Sequence, residues 1–195
     1  MSDWQLFDDF ANVLPWVKID GFGLVTKTTG SSNWSNGDGS ITTRVRNGLY
    51  NTITIQRDVG LDLSRFAEEG NSIIQLYHKY QASDNDSTYT ISLLKNDTNY
   101  AYISFSPSYI TGWQLDSWTS SDFTIVGDFN WSDISYIQIT HSTTSSNFIN
   151  HYWDAIWFPK RRGGGKKKVS TLQKILKPIK KMISQLKIFL LGKWK

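Results

Sequence analysis

Between residues 40 and 158 the apolar side chains recur at every second position. They fall in short runs rich in β-branched and aromatic residues, which is the pattern of strands that turn one face inward. Six runs read this way: 51–57, 72–80, 87–95, 99–105, 134–140 and 148–158. Clusters of Gly, Asn, Asp and Ser separate several of them, as in Ser83-Asp84-Asn85-Asp86, Asn96-Asp97 and 143–147. A strand about every ten residues with hairpin-like turns predicts an all-β body, an antiparallel β-sandwich (jelly roll) spanning residues 1–159. Short helical turns are expected at 63–69 and 131–134. The most loop-like stretch, 28–40, carries a single bulky residue, Trp34, read either as a ligand platform or as a plug folded onto the core.

Beyond residue 159 the period changes. Residues 160–168 read KRRGGGKKK, a basic glycine-hinged linker with nothing to bury. In 169–195, Leu172, Ile175, Leu176, Ile179, Met182, Ile183, Leu186, Phe189 and Leu190 follow one another at three and four residues. Lys174, Lys177, Lys180, Lys181 and Lys187 occupy the other side. This predicts an amphipathic cationic helix serving as an anchor, with Ser170 as its N-cap and a kink or division at Pro178.

Charge sharpens that division. The chain of 195 residues has a net charge of +4, yet residues 160–195 hold 13 Lys and Arg and no acid. Residues 1–159 are left with 8 cationic and 17 anionic side chains, a net −9. An acidic body disfavours nucleic acid as its own partner, although the tail has the charge for polyanions. With no Cys, disulfides, thiol nucleophiles and cysteine zinc sites are excluded. Three His far apart in sequence (His78, His141, His151) argue against a histidine metal cage. No run of 18 apolar residues marks a membrane span, and the first residues lack the pattern of a cleaved secretory leader.

The segments Leu61-Asp62-Leu63-Ser64-Arg65-Phe66, Gly112-Trp113, Asp122-Phe123-Thr124, 127–134 and 152–158 together resemble carbohydrate-binding modules of the galactose-binding-like jelly-roll type. The resemblance is diffuse and covers roughly residues 4–158. It implies a structural calcium ion between the first and last strands, with Asp154 as one carboxylate and Asp8 or Asp9 as its partner; a cap or salt bridge at an edge strand is the alternative role for Asp154. It also implies a glycan ligand. Flat aromatic faces with polar neighbours suit sugar rings, and the candidates are Trp34, Tyr80, Tyr100, Tyr102, Tyr109 and Trp118, with Arg44, Arg57 and Gln75. Along 99–105 the alternation places Tyr100, Tyr102 and Ser104 on one face, and Ala101, Ile103 and Phe105 on the other. Trp113, Trp131, Trp153 and Trp157 are expected in the core.

A glycosidase needs two carboxylates set across a cleft, and the only Glu residues, Glu68 and Glu69, are adjacent on a surface segment. No catalytic residue is therefore expected, and a glycoside hydrolase is the weaker alternative. A sugar-binding type of sandwich without a leader fits a non-enzymatic virion surface or tail (capsid or tail) protein, used for host attachment or decoration and anchored by its basic helix. The alternative is a cell-surface polysaccharide-binding module held to an anionic membrane by the same helix. Expected partners are other virion proteins or a second copy through the helix, a glycan, an anionic membrane, and in last place nucleic acid.

Overall fold

The computed structural model describes residues 4–8, 15–28, 39–80, 87–106 and 112–159. Twelve strands run through them: β1 (Trp4–Asp8), β2 (Val17–Gly21), β3 (Leu24–Thr28), β4 (Ser40–Val45), β5 (Thr52–Leu61), β6 (Ser72–Tyr80), β7 (Ser87–Asn96), β8 (Asn99–Phe105), β9 (Gln114–Thr119), β10 (Thr124–Val126), β11 (Ile134–Thr143) and β12 (Ile149–Pro159). One short helix, α1 (Ser64–Glu68), and a 3₁₀ turn at Ser120–Asp122 interrupt them. Each of the six predicted runs is a strand. The helical turn expected at 63–69 is α1, and residues 131–134 make a turn and the start of β11.

All pairings are antiparallel, and the strands make two sheets. The first has the order β3-β4-β12-β6-β9. In it β12 pairs with β4 through its first half and with β1 through its last residues. The second has the order β10-β8-β7-β11-β5-β2. The described body is therefore an antiparallel β-sandwich. The linker and helix expected at 160–168 and 169–195 lie outside the described residues.

The inward faces carry the predicted alternation. Ile53 and Ile55 of β5, Ile91 and Leu93 of β7, Ile137 and Ile139 of β11, and Ile74 and Leu76 of β6 are buried together with Trp153 of β12. In β11 the inward series Ile137, Ile139, His141, Thr143 has period two, but Ile134 precedes it by three residues. The pairing with β5 shifts register between Ile134 and Tyr136, and that irregularity returns Ile134 to the core. Of the four tryptophans assigned to the core, Trp153 is completely buried. Trp131 packs against the core with Phe123 and Phe129, while Trp113 and Trp157 are half-buried and both contact Tyr77.

Candidate functional site

On the outer face of the second sheet, neighbouring strands place polar and aromatic side chains directly opposite one another. Tyr102 of β8 faces Ser92 of β7, which faces Gln138 of β11, which faces Gln56 of β5. The next rows pair Tyr100 with Leu94 and Ser104 with Thr90. Because side chains alternate across a strand, these residues share the face opposite the core. All of them except Gln56 line a cleft of about 390 Å³ whose remaining wall is Asp97, in the turn between β7 and β8.

Local interactions hold this surface in place. The Tyr100 and Tyr102 rings lie 6.0 Å apart, inclined at 43°. The Gln138 amide Nε2–H donates to Gln56 Oε1 at 2.8 Å, and the Thr90 and Ser104 hydroxyls meet at 2.8 Å. Leu94 is buried and gives the cleft an apolar floor. In the turn beside it, Asn96 Oδ1 accepts from the Thr98 and Asn99 backbone N–H groups at 3.1 and 2.9 Å, which fixes the loop that carries Asp97. Aromatic faces next to hydroxyl and amide groups can take the C–H face of a sugar ring and its hydroxyls together.

The structure brings together two of the candidate ligand residues, Tyr100 and Tyr102, and disperses the others. Arg44 and Gln75 lie on the outer face of the first sheet, Arg44 exposed with its guanidinium 4.1 Å from the Phe148 ring centroid. Arg57 lies 4.6 Å from the Phe7 ring, which packs edge-on against Phe158. One candidate is corrected. Tyr80 has the inward parity of His78 and is only 4% exposed, packed edge-on against Tyr89, so it has no face to offer a ligand. Trp118 is half-buried opposite Ile74, its ring tilted at 41° to that of Phe105 with centroids 5.2 Å apart. Trp34, Tyr109, Asp9 and the anchor residues from Leu172 to Leu190 lie outside the described residues. Sequence reasoning missed Ser92, Thr90 and Gln138, although their positions in the alternation put them on the same face as Tyr100.

The three histidines, distant in sequence, converge between the sheets. His78 Nε2 lies 2.8 Å from Asp116 Oδ2, and His78 Nδ1 lies 2.9 Å from His151 Nε2. Among neutral rings, one arrangement satisfies this chain: His78 donates to the carboxylate and His151 donates to His78, which leaves His151 Nδ1 a bare buried acceptor. His141 Nδ1 lies 3.0 Å from Thr43 Oγ1, which accepts the Trp153 indole N–H at 2.9 Å. Burial holds the His151 imidazole well below its ordinary range, helped by the charges of His78 and His141; burial also lowers His141 to about 3, partly offset by a hydrogen bond to the Thr43 backbone. For Asp116, burial pushes upward, but the hydrogen bond and charge of His78 and a bond from Gln114 bring the carboxyl below its usual value. His141 Nε2, like His151 Nδ1, is buried without a hydrogen-bond partner, and among the described residues no group of three His, Asp or Glu is placed to hold a metal ion.

Asp154 is completely buried on β12, and Asp8 pairs in register with Ile156, two residues further on. The described residues thus put a buried carboxylate two positions along β12 from the register partner of Asp8. They do not by themselves assemble the six to eight oxygens of a full cage.

No family model and no curated protein matches the sequence. Solved structures share its fold. A family 11 carbohydrate-binding module from Clostridium thermocellum, in complex with a β-1,3-1,4-mixed-linked tetrasaccharide, superposes with a TM-score of 0.53 at 15% identity, covering 80% of this chain and 96% of the module. An exo-β-agarase matches with a TM-score of 0.52 at 12% identity, over 93% of this chain but 31% of the agarase. The enzymatically active domain of tailspike protein 4 of bacteriophage CBA120 matches with a TM-score of 0.50 at 13% identity, over 77% of this chain and 20% of that one. The body therefore has the fold of carbohydrate-binding modules, a fold that also occurs as part of larger glycan-processing and tailspike chains.

Proposed function

We propose that this chain is a non-catalytic glycan-binding protein of a virion surface or tail, with the cleft over Tyr100 and Tyr102 as its binding face. The observation that carries the proposal is the row of Tyr102, Ser92, Gln138 and Gln56, which sets an aromatic platform beside hydroxyl and amide groups on the outer face of the sheet. The cleft is lined by one charged side chain, the anionic Asp97, so its ligand is a neutral saccharide chain rather than an acidic one. A single carboxylate also supports binding over hydrolysis, since both glycosidase geometries require two. Of the two Glu residues, Glu69 is bonded to Arg65 at 2.8 Å and to Asn71 at 2.9 Å on the surface.

The likeness to part of a phage tailspike supports the virion setting. The basic apolar-striped segment 169–195 supplies an attachment element to other virion subunits or to a second copy, with nucleic acid a less favoured partner. Attachment to a cell envelope is the second reading, favoured by the lysines opposite the apolar stripe of the same segment. A structural calcium ion would draw on Asp154 and, from outside the described residues, Asp9. The test is binding to a panel of neutral β-glucans, mixed-linked β-1,3-1,4-glucan first, by affinity electrophoresis. Tyr100→Ala and Tyr102→Ala are each expected to weaken binding roughly tenfold while the melting temperature holds. Retention that survives the double substitution, or no retention on any neutral glycan, overturns the assignment of the cleft.

A further inference from the structure

Three turns meet at the end of the sandwich where β11 finishes. The turn after β4 is tied to the loop before β12 by Asn47 N–H donating to Ser145 O at 2.7 Å, and is closed by Arg46 N–H donating to Tyr50 O at 2.9 Å. The turn between β2 and β3 joins them through Gly23 N–H, which donates to Thr52 O at 3.1 Å. At their tips stand large apolar side chains that the fold leaves in water. Phe22 is 62% exposed and Leu49 65%, and Leu24 and Phe148 are exposed as well. Leu24 is the direct cross-strand partner of Arg44, so both lie on the outer face of the first sheet.

Two cationic side chains stand among these apolar tips. The Arg44 and Arg46 guanidinium carbons lie 4.1 and 4.5 Å from the centroid of one ring, Phe148. Among the described residues neither guanidinium has a carboxylate partner. Residues 21–24, 44–51 and 144–150 contain no Asp or Glu, and the neighbouring Asp20 accepts from the Gly21 backbone N–H at 2.7 Å rather than from either arginine. Two like charges sharing one exposed ring repel each other, and an anion would relieve that repulsion.

From this juxtaposition we propose that the turn end of the sandwich rests on an anionic lipid surface. Arg44 and Arg46 meet headgroup phosphates and carboxylates, and Phe22, Leu49 and Phe148 enter the boundary with the acyl chains. The aliphatic tips favour lipid over an acidic saccharide, because Leu49 and Leu24 provide neither a flat ring face nor a hydrogen-bonding group for a sugar. Turn tips can also immerse while the ladder hydrogen bonds of the strands stay paired. The proposal does not depend on the glycan cleft, whose turn carrying Asp97 follows the end of β7 that pairs with the start of β11.

The chain has no Cys, so one introduced thiol reports one place. Full-length protein carrying Leu49→Cys, labelled with an environment-sensitive fluorophore, is mixed with vesicles of phosphatidylcholine and phosphatidylserine, with phosphatidylcholine vesicles alone, or with soluble polygalacturonate. Ser132→Cys, at the opposite end, is labelled as the control. The expected result is a blue shift at position 49 with the mixed vesicles only, quenched by bromine-substituted lipid, with no change at position 132. Arg44→Gln with Arg46→Gln should weaken this response on the order of tenfold without lowering the melting temperature. Vesicle binding without a signal at position 49 would assign lipid contact to residues 169–195 alone and overturn the proposal. So would an equal response to polygalacturonate, or no vesicle binding at all.

Discussion

At the scale of single residues, the centre of the body depends on Thr43. Its hydroxyl accepts from the Trp153 indole and meets His141, and all three side chains are fully buried. Thr43→Val keeps the shape but removes the only oxygen in that triangle, leaving an N–H and a ring nitrogen unpaired in an apolar surrounding. A loss of about 1–3 kcal/mol is expected for a buried group left unsatisfied, read as a lower urea midpoint at unchanged slope. A midpoint equal to that of the wild type would show that the triangle does not contribute. Gly21 presents a different local constraint. It sits at φ +80°, and any side chain there would meet the Thr52 carbonyl, so the reversal that presents Phe22 requires glycine.

At the scale of elements, central and edge strands carry unequal weight. Val17 and Ile19 look like core residues by type, yet β2 is the edge of its sheet and both side chains are exposed, whereas Ile53 on the adjoining β5 is buried. Val17→Lys and Ile19→Lys should each change stability by no more than about 0.5 kcal/mol, while Ile53→Ala should cost about 2–5 kcal/mol, measured by chemical denaturation. This contrast also explains what the sequence could reveal. Strands β5, β6, β7, β8, β11 and β12 are long, and all lie inside their sheets, so one inward face writes a clean alternation. Strands β1, β2, β3, β9 and β10 have three to six residues and sit at edges or on one end of β12, where apolar and polar positions no longer sort by face. The cleft was legible through Tyr100 and Tyr102 because β8 alternates. Its partners across the sheet depend on register, which a single strand does not encode. The histidine cluster was hidden for the same reason. Each histidine falls on an inward position of its own strand, next to Leu76, Ile139 or Trp153, but only the pairing of β6, β11 and β12 with their neighbours makes the three positions meet.

At the scale of the molecule, that cluster ties stability to pH. His151 of β12 is faced by His78 and Tyr80 of β6, Tyr89 of β7 and His141 of β11, and the chain continues from His78 to Asp116 of β9. His141 and His151 both take up protons less readily folded than unfolded, so the unfolded chain binds more protons below about pH 6.5. Their contribution is complete above that pH. It is lost as pH falls toward about 3, the folded value of His141, with each histidine adding up to about 1.4 kcal/mol per pH unit. Asp116, held below its usual value, adds its own loss only at the acid end of that window. Urea midpoints measured from pH 7 to pH 4 should fall steeply, and His141→Gln should flatten the slope. A midpoint constant across that range would exclude the histidines as its cause.

The strand orders have one more consequence, for the time before the body is complete. In the first sheet β12 lies between β4 and β6, and in the second β11 lies between β7 and β5. The last two strands among the described residues thus occupy interior positions, one in each sheet. While the polypeptide is being synthesised, β4 and β6 wait for a common neighbour, and so do β5 and β7, so apolar faces and unpaired backbone stay open until residue 159 has emerged. Nascent chains stalled near residue 130 should therefore be far more exposed to protease and chaperone than chains stalled well beyond residue 160, with a sharp change between them.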